Sequence, residues 1–138
     1  MVSILVVSEY SGPSACTGVS AKIAGGPLYE LARVRGLCQQ GNGIVLWTRR
    51  CINKVADLGW TTRDVAELID DLASHGTYID SEWCDNGRNA WAAADAYKVA
   101  RKEWIAYAHK DMLIEYFIKF AIGKQGNVVL TVSCHAPT

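Results

Sequence analysis

The chain has 138 residues, a mass of 15.1 kDa and equal numbers of basic and acidic side chains, 14 of each. That length suits one domain able to bury a core without disulfides or a metal. A formal charge of zero and a pI near 6.8 exclude any bulk attraction to nucleic acid, an anionic membrane or an acidic partner.

The distribution is less even. Residues 1 to 60 hold six Lys/Arg against three acids, residues 61 to 95 two against eight, and the remainder six against three. Such a pattern permits one surface to hold an anion, and a solvated acidic helix explains it equally well. Cys16, Cys38, Cys51, Cys84 and Cys134 are odd in number and lack C-x-x-C spacing, so reduced thiols and a cytoplasmic location are expected. The apolar run Ile4 to Val7 has no basic flank and is too short to span a bilayer, so no membrane association is expected.

In chain order, Ser11 to Gly26 is built of small and turn-forming residues, and residues 1 to 26 read as a flexible N-terminal extension. The domain proper then spans 27 to 138. Leu28, Leu31, Val34, Leu37 and Cys38 recur at helical spacing after Pro27, with Gly41 and Gly43 closing the segment. Thr48 can cap a second helix with Cys51, Ile52, Val55, Ala56 and Leu58 on one face and Gly59 as its stop. Thr61 and Asp64 have the form of a capping box for a third, whose stripe is Val65, Leu68, Ile69 and Leu72.

After Gly76 the period changes. Thr77 to Trp83 reads as a strand ending at the turn Asp85-Asn86-Gly87, and a second strand runs from about Asn89 to Val99. Trp91, Ala93, Asp95 and Tyr97 share one side of it and Ala92, Ala94 and Ala96 the other, although alanine suits a helix as well. Lys98 to His109 reads as a helix or connecting loop. Ile114 to His135 then alternates in polarity on both sides of Gly123-Lys124-Gln125-Gly126, which predicts a C-terminal β-hairpin. With Gly126 supplying the positive φ of a three-residue turn, Lys119 faces Thr131 and Phe117 faces Ser133. One face is apolar, from Ile114 to Cys134; the other carries Glu115, Phe117, Lys119, Thr131, Ser133 and His135. Helices first and an antiparallel sheet afterwards predict an α+β fold, N-terminal helices packed on that sheet.

The chemistry follows from those faces. His135 suits general acid or base work if a substrate crosses the sheet, and suits an ordinary surface position otherwise. Lys119, mid-strand, is either solvated or held for an anion, with Ser133 and Thr131 available as hydrogen-bond donors beside it. Asp80 and Glu82 alternate with Tyr78 along one strand, so the two carboxylates point the same way, towards a substrate or towards solvent. Arg88, in the turn that follows, is a further candidate for substrate binding. Cys84, Cys134, His75 and His135 are scattered and match no zinc spacing, so no metal is expected. Trp83, Trp91, Trp104 and Tyr107 suit base stacking, and equally a core or a protein interface. Phosphate-loop, dinucleotide and serine-nucleophile motifs are absent, and no cofactor is implied.

Taken together and in order, several segments resemble the MqsR family of toxins from bacterial type II toxin-antitoxin systems. They are Pro27-Leu28-Tyr29-Glu30-Leu31, Thr48-Arg49-Arg50 through Asp57-Leu58-Gly59, Tyr78-Ile79-Asp80-Ser81, Asp95-Ala96-Tyr97-Lys98, Tyr116 to Phe120 and Val128 to His135. The resemblance implies a RelE-like curved antiparallel sheet with helices on one side. It also implies cleavage of messenger RNA without a metal, and neutralisation by an antitoxin protein. Position by position, the family's lysine falls on Asp80, its glutamine on Ala94, its tyrosine on Phe117 and its terminal basic residue on His135. The expected roles are proton transfer by His135, phosphate stabilisation by Lys119, and positioning or proton donation by Tyr97, with Ser133, Thr131, Arg88 and Asp80 contacting substrate. The rival reading is a binding module on the same scaffold that performs no chemistry.

Overall fold

A computed structural model describes residues 5–12 and 22–137. Its first strands are short: β1 (Leu5–Val6) and β2 (Lys22–Ile23). Next come α1 (Leu31–Cys38), β3 (Ile44–Leu46), α2 (Arg49–Asp57) and α3 (Thr62–His75). Four long strands finish the chain: β4 (Gly76–Asp85), β5 (Ala90–Ile105), β6 (Lys110–Ile122) and β7 (Val129–His135). The sheet runs β2-β4-β5-β6-β7-β3, with β1 beside the start of β5. It is antiparallel except where β1 meets β5 and β3 meets β7. The fold is therefore α+β, as composition and element order predict.

Helices α2 and α3 begin where their capping residues dictate. Thr48 Oγ1 accepts the Cys51 N–H at 3.0 Å and donates to the Val132 carbonyl at 2.7 Å, so one hydroxyl both caps α2 and ties it to β7. Replacing Thr48 by Ala is expected to lower unfolding free energy by about 1–2 kcal/mol while Ser retains most of it, measured by urea denaturation. Thr61 and Asp64 form the expected capping box. Helix α1 starts four residues later than Pro27 suggests, because the Leu28 and Tyr29 amides are taken by a side chain of the sheet, described below.

Val34, Val65, Leu68, Ile69 and Leu72 from the helices form one buried cluster with Tyr97, Val99, Tyr116, Ile118, Phe120 and Cys134 from the strands. Those strand residues share one face, since Tyr97 pairs with Ile118 and Val99 with Tyr116 across β5 and β6. Ala96, Lys119 and Ser133 alternate with them onto the face turned away from the helices.

Three expectations are corrected. The segment before Pro27 is no free extension in its described parts: β1 and β2 are strands of the sheet, and buried Ser8 accepts the Ala93 N–H at 3.0 Å. Residues 13 to 21 lie outside the described ones, as do 1 to 4 and 138. Lys98 to His109 is not a helix or loop as far as Ile105; β5 continues there, paired residue for residue with β6, and turns through Ala106–Ala108. Strand β3 was not foreseen. It follows Gly43, whose missing side chain matters because a Cβ there would sit 1.8 Å from the Leu37 carbonyl oxygen.

Two bulges set the final register. In β4, Tyr78 pairs with Tyr97 but Asp80 with Ala96, leaving Ile79 as the extra residue. In β7, Ser133 pairs with Lys119 but Thr131 with Phe120, leaving Val132 as the extra residue. The expected pairing of Lys119 with Thr131 is displaced by two residues, one already set at the turn, where Ile122 pairs with Val129, and one by this bulge. Gly126 does take the positive φ, at 74°.

Candidate functional site

On the helix-free face, β4, β5, β6 and β7 enclose an open cleft of about 300 Å³. Its charged and polar lining is Lys22, Asp80, Glu82, Lys119, Ser133 and His135, with Ile79 and Phe117 as apolar walls and Ala96 between the strands. The register explains the gathering. Phe117 pairs with His135 and Lys119 with Ser133, so the imidazole and the ammonium stand diagonally across two strands on one face. Alanine at 96 leaves room for long side chains to meet above it: Lys119 reaches over β5 and bonds Glu82 on β4.

Charges in the cleft are linked. The Glu82 carboxylate takes Lys119 on one oxygen and Lys22, at 3.2 Å, on the other; Lys22 also bonds Asp80. Partial burial opposes ionisation of Glu82, but the two ammonium groups outweigh it and hold the carboxyl below the usual carboxylate range. The same contacts, with Asp80 first and Glu82 second, raise Lys22 above the ordinary lysine value. Glu82 is therefore a carboxylate at neutral pH, and the two lysines are charge-paired where they stand.

His135 stacks on Phe117, ring centroids 5.6 Å apart, and its Nδ1 lies 2.9 Å from the Ala136 carbonyl. Only an N–H can bond a carbonyl oxygen, so Nδ1 carries a proton and Nε2 is left to exchange one with a substrate. The ring is thus held by a stack on one side and a backbone oxygen on the other.

The structure brings together four of the seven expected residues: His135, Lys119, Ser133 and Asp80. Tyr97 is corrected. It borders the cleft, but alternation turns its ring to the helix side, where it stacks on Phe120 at 5.6 Å and meets Tyr78 edge-on. Burial there pushes the phenol up to about 12, as for a core tyrosine. Thr131 is corrected as well. The β7 bulge flips it from the Lys119 face to the Phe120 face, fully buried, with no hydrogen-bond partner for its hydroxyl among the described residues. Arg88 is exposed in the β4–β5 turn and is not part of the cleft lining; its backbone N–H bonds Asn86 Oδ1 at 2.8 Å.

Glu82 and Lys22 join the site beyond the expected residues. The Asp80-x-Glu82 alternation already signalled two carboxylates on one side, although the bulge at Ile79 turns Tyr78 away from them. Nothing in the local sequence marked Lys22, which arrives through the pairing of β2 with β4 opposite Glu82 itself.

Among the described residues no three His, Cys, Asp or Glu side chains are grouped to hold a metal, and no helix is long and apolar enough to cross a membrane. Comparison of the chain with protein-family models, curated proteins and solved structures finds no match.

Proposed function

We propose that this chain is an RNA-cleaving toxin of the MqsR-like, RelE-fold kind, acting in the cytoplasm and neutralised by an antitoxin protein. What carries the reading is the single cleft in which an ionised carboxylate, an ammonium group and an imidazole with one free nitrogen face the same space.

Cleavage within the RNA chain needs a base for the ribose 2'-hydroxyl, positive charge at the phosphate and a proton for the departing 5'-oxygen. Glu82 takes the first role. It accepts the 2'-proton, the 2'-oxygen bonds to phosphorus, and the bond to the 5'-oxygen breaks to leave a 2',3'-cyclic phosphate. Lys119 shifts from Glu82 towards the phosphate oxygens as the carboxylate is protonated. Protonated His135 delivers its Nε2 proton to the leaving oxygen, and Ser133 adds a hydrogen bond beside Lys119. Every group needed comes from the protein, so cleavage is expected to continue in a chelator.

The test is single-turnover cleavage of a single-stranded RNA. His135→Ala is expected to slow it about 100-fold, the contribution of one positioned proton donor, with unchanged binding of an uncleavable 2'-deoxy strand. An unaltered rate would remove His135 from the chemistry.

One observation favours a second reading. Lys22 and Lys119 are already neutralised by Asp80 and Glu82, and buried Ala94 stands where the resemblance implies a glutamine, as expected for a module that binds a partner without chemistry. Growth arrest on expression with no RNA cleavage would support this alternative.

A further inference from the structure

Beyond the pairs Gly76–Val99 and Phe117–His135, neither β4 nor β7 accompanies the two longest strands. From Ala100 to Glu115 the sheet is, among the described residues, a two-stranded ribbon with no further strand on either edge, continuous with the cleft. Alternation carries the cleft's face outward along it. From Ala96 in the cleft, the β5 row presents Lys98, then Lys102, then Trp104, and the neighbouring β6 row presents Glu115, Leu113 and Asp111.

The β5 row combines two features. Lys98 and Lys102 make no ion pair among the described residues, in contrast to Lys22 and Lys119 in the cleft. Trp104 is 62% exposed and ends the row; a ring of that size left in water gains nothing for the fold. Unpaired cations interleaved with an exposed aromatic ring are what a single-stranded nucleic acid requires, charge along its backbone and a plane for a base. The acids confined to the β6 row steer such a strand to the β5 side. Ala96 to Trp104 is eight residues, roughly 26 Å of extended backbone, room for several nucleotides outside the cleft.

We propose that Lys98, Lys102 and Trp104 form a track for the single-stranded RNA flanking the scissile bond, an inference that rests on the cleft being the place of RNA cleavage. The track supplies affinity and leaves the chemistry to the cleft. It is sequence-tolerant, because stacking and phosphate contacts read no base edge.

The full-length protein is assayed with a dinucleotide and with an unstructured RNA of about ten nucleotides, and a 2'-deoxy copy of the longer strand reports binding. The Lys98→Ala/Lys102→Ala pair and Trp104→Ala are each expected to raise the Kd of the longer strand about tenfold, with dinucleotide cleavage unchanged. The lysine pair should also flatten the salt dependence of binding, and Trp104→Phe should restore most of the affinity. All the replaced side chains lie at the surface, and an unchanged melting temperature confirms folding.

Losses equal on both substrates, or no loss on either, overturn the track. His135-dependent cleavage with no dependence on these three residues overturns the track and leaves the catalytic reading standing. Absence of cleavage together with strand binding that depends on all three overturns the catalytic reading and supports the track. A ribbon that captures a protein strand along its open edges, with no affinity for the oligonucleotide, overturns it too.

Discussion

Replacing Asp95 by Ala is expected to destabilise the protein by about 4 kcal/mol, enough to remove most of the stability of a domain this size. The carboxylate is completely buried on the helix side of β5. It accepts the Leu28 N–H at 3.0 Å, the Tyr29 N–H at 3.1 Å and the Ser81 hydroxyl at 2.6 Å, and Ser81 lies 2.6 Å from the Tyr78 hydroxyl. Alanine leaves the Leu28 and Tyr29 backbone donors without an acceptor in a buried site and leaves Ser81 only Tyr78 to bond, and each orphaned donor costs about 1–3 kcal/mol. Asparagine is no remedy, since its amide group would point a donor at other donors. The segment from Pro27 to Tyr29 would come off the sheet, and with it the start of α1. Urea unfolding with an unchanged m-value checks this; a loss under roughly 1 kcal/mol would show that Asp95 is not the anchor.

Glu82→Gln is expected to lower kcat for RNA cleavage about 1000-fold with KM unchanged or reduced, provided the catalytic reading holds. Glutamine keeps the size of the side chain but cannot take a proton, so loss falls on the chemical step. Lys119, released from its carboxylate, would hold the substrate phosphate at least as well as before. The pH profile gives an independent readout. Burial opposes ionisation of the Glu82 carboxyl but Lys119 and Lys22 hold it below the usual carboxylate range, so the acidic limb of the wild-type profile lies below that range and is absent in the variant. The linked stability has the same sign. A folded-state pKa below the unfolded one stabilises the protein above the unfolded value, and that contribution disappears as the pH falls through the folded value. Equal loss of kcat and of strand binding would instead make Glu82 a structural brace for the two lysines.

How much was legible can be seen strand by strand. The alternation in β6 placed Lys119 opposite in face to Ile118, and the one in the second half of β7 placed Ser133 and His135 with it, because those residues lie on the same side of the bulge. Thr131 lies beyond that bulge. An extra residue in one strand exchanges inside for outside for everything after it, and Val132 looks like any other strand residue in the sequence. Tyr97 was placed with Asp95 on one side of its strand, which the pairing upholds. That same placement turns it away from Lys119, a conflict visible only once β5 and β6 are laid side by side. Residues 98 to 105 carry mixed polarity with no clear period, so only the partner strand identifies them as strand.

By itself the sequence determined the three helices, through capping residues and apolar spacing within a dozen positions, and the shared face of Lys119, Ser133 and His135, through alternation. Only the tertiary structure decided which acids meet which lysines, because Lys22, Glu82 and Lys119 are joined by strand pairing over 37 residues and more. Local interactions are set by neighbours along the chain; a site built across four strands is set by register, and two single-residue bulges that leave no mark on composition or periodicity decided that register here.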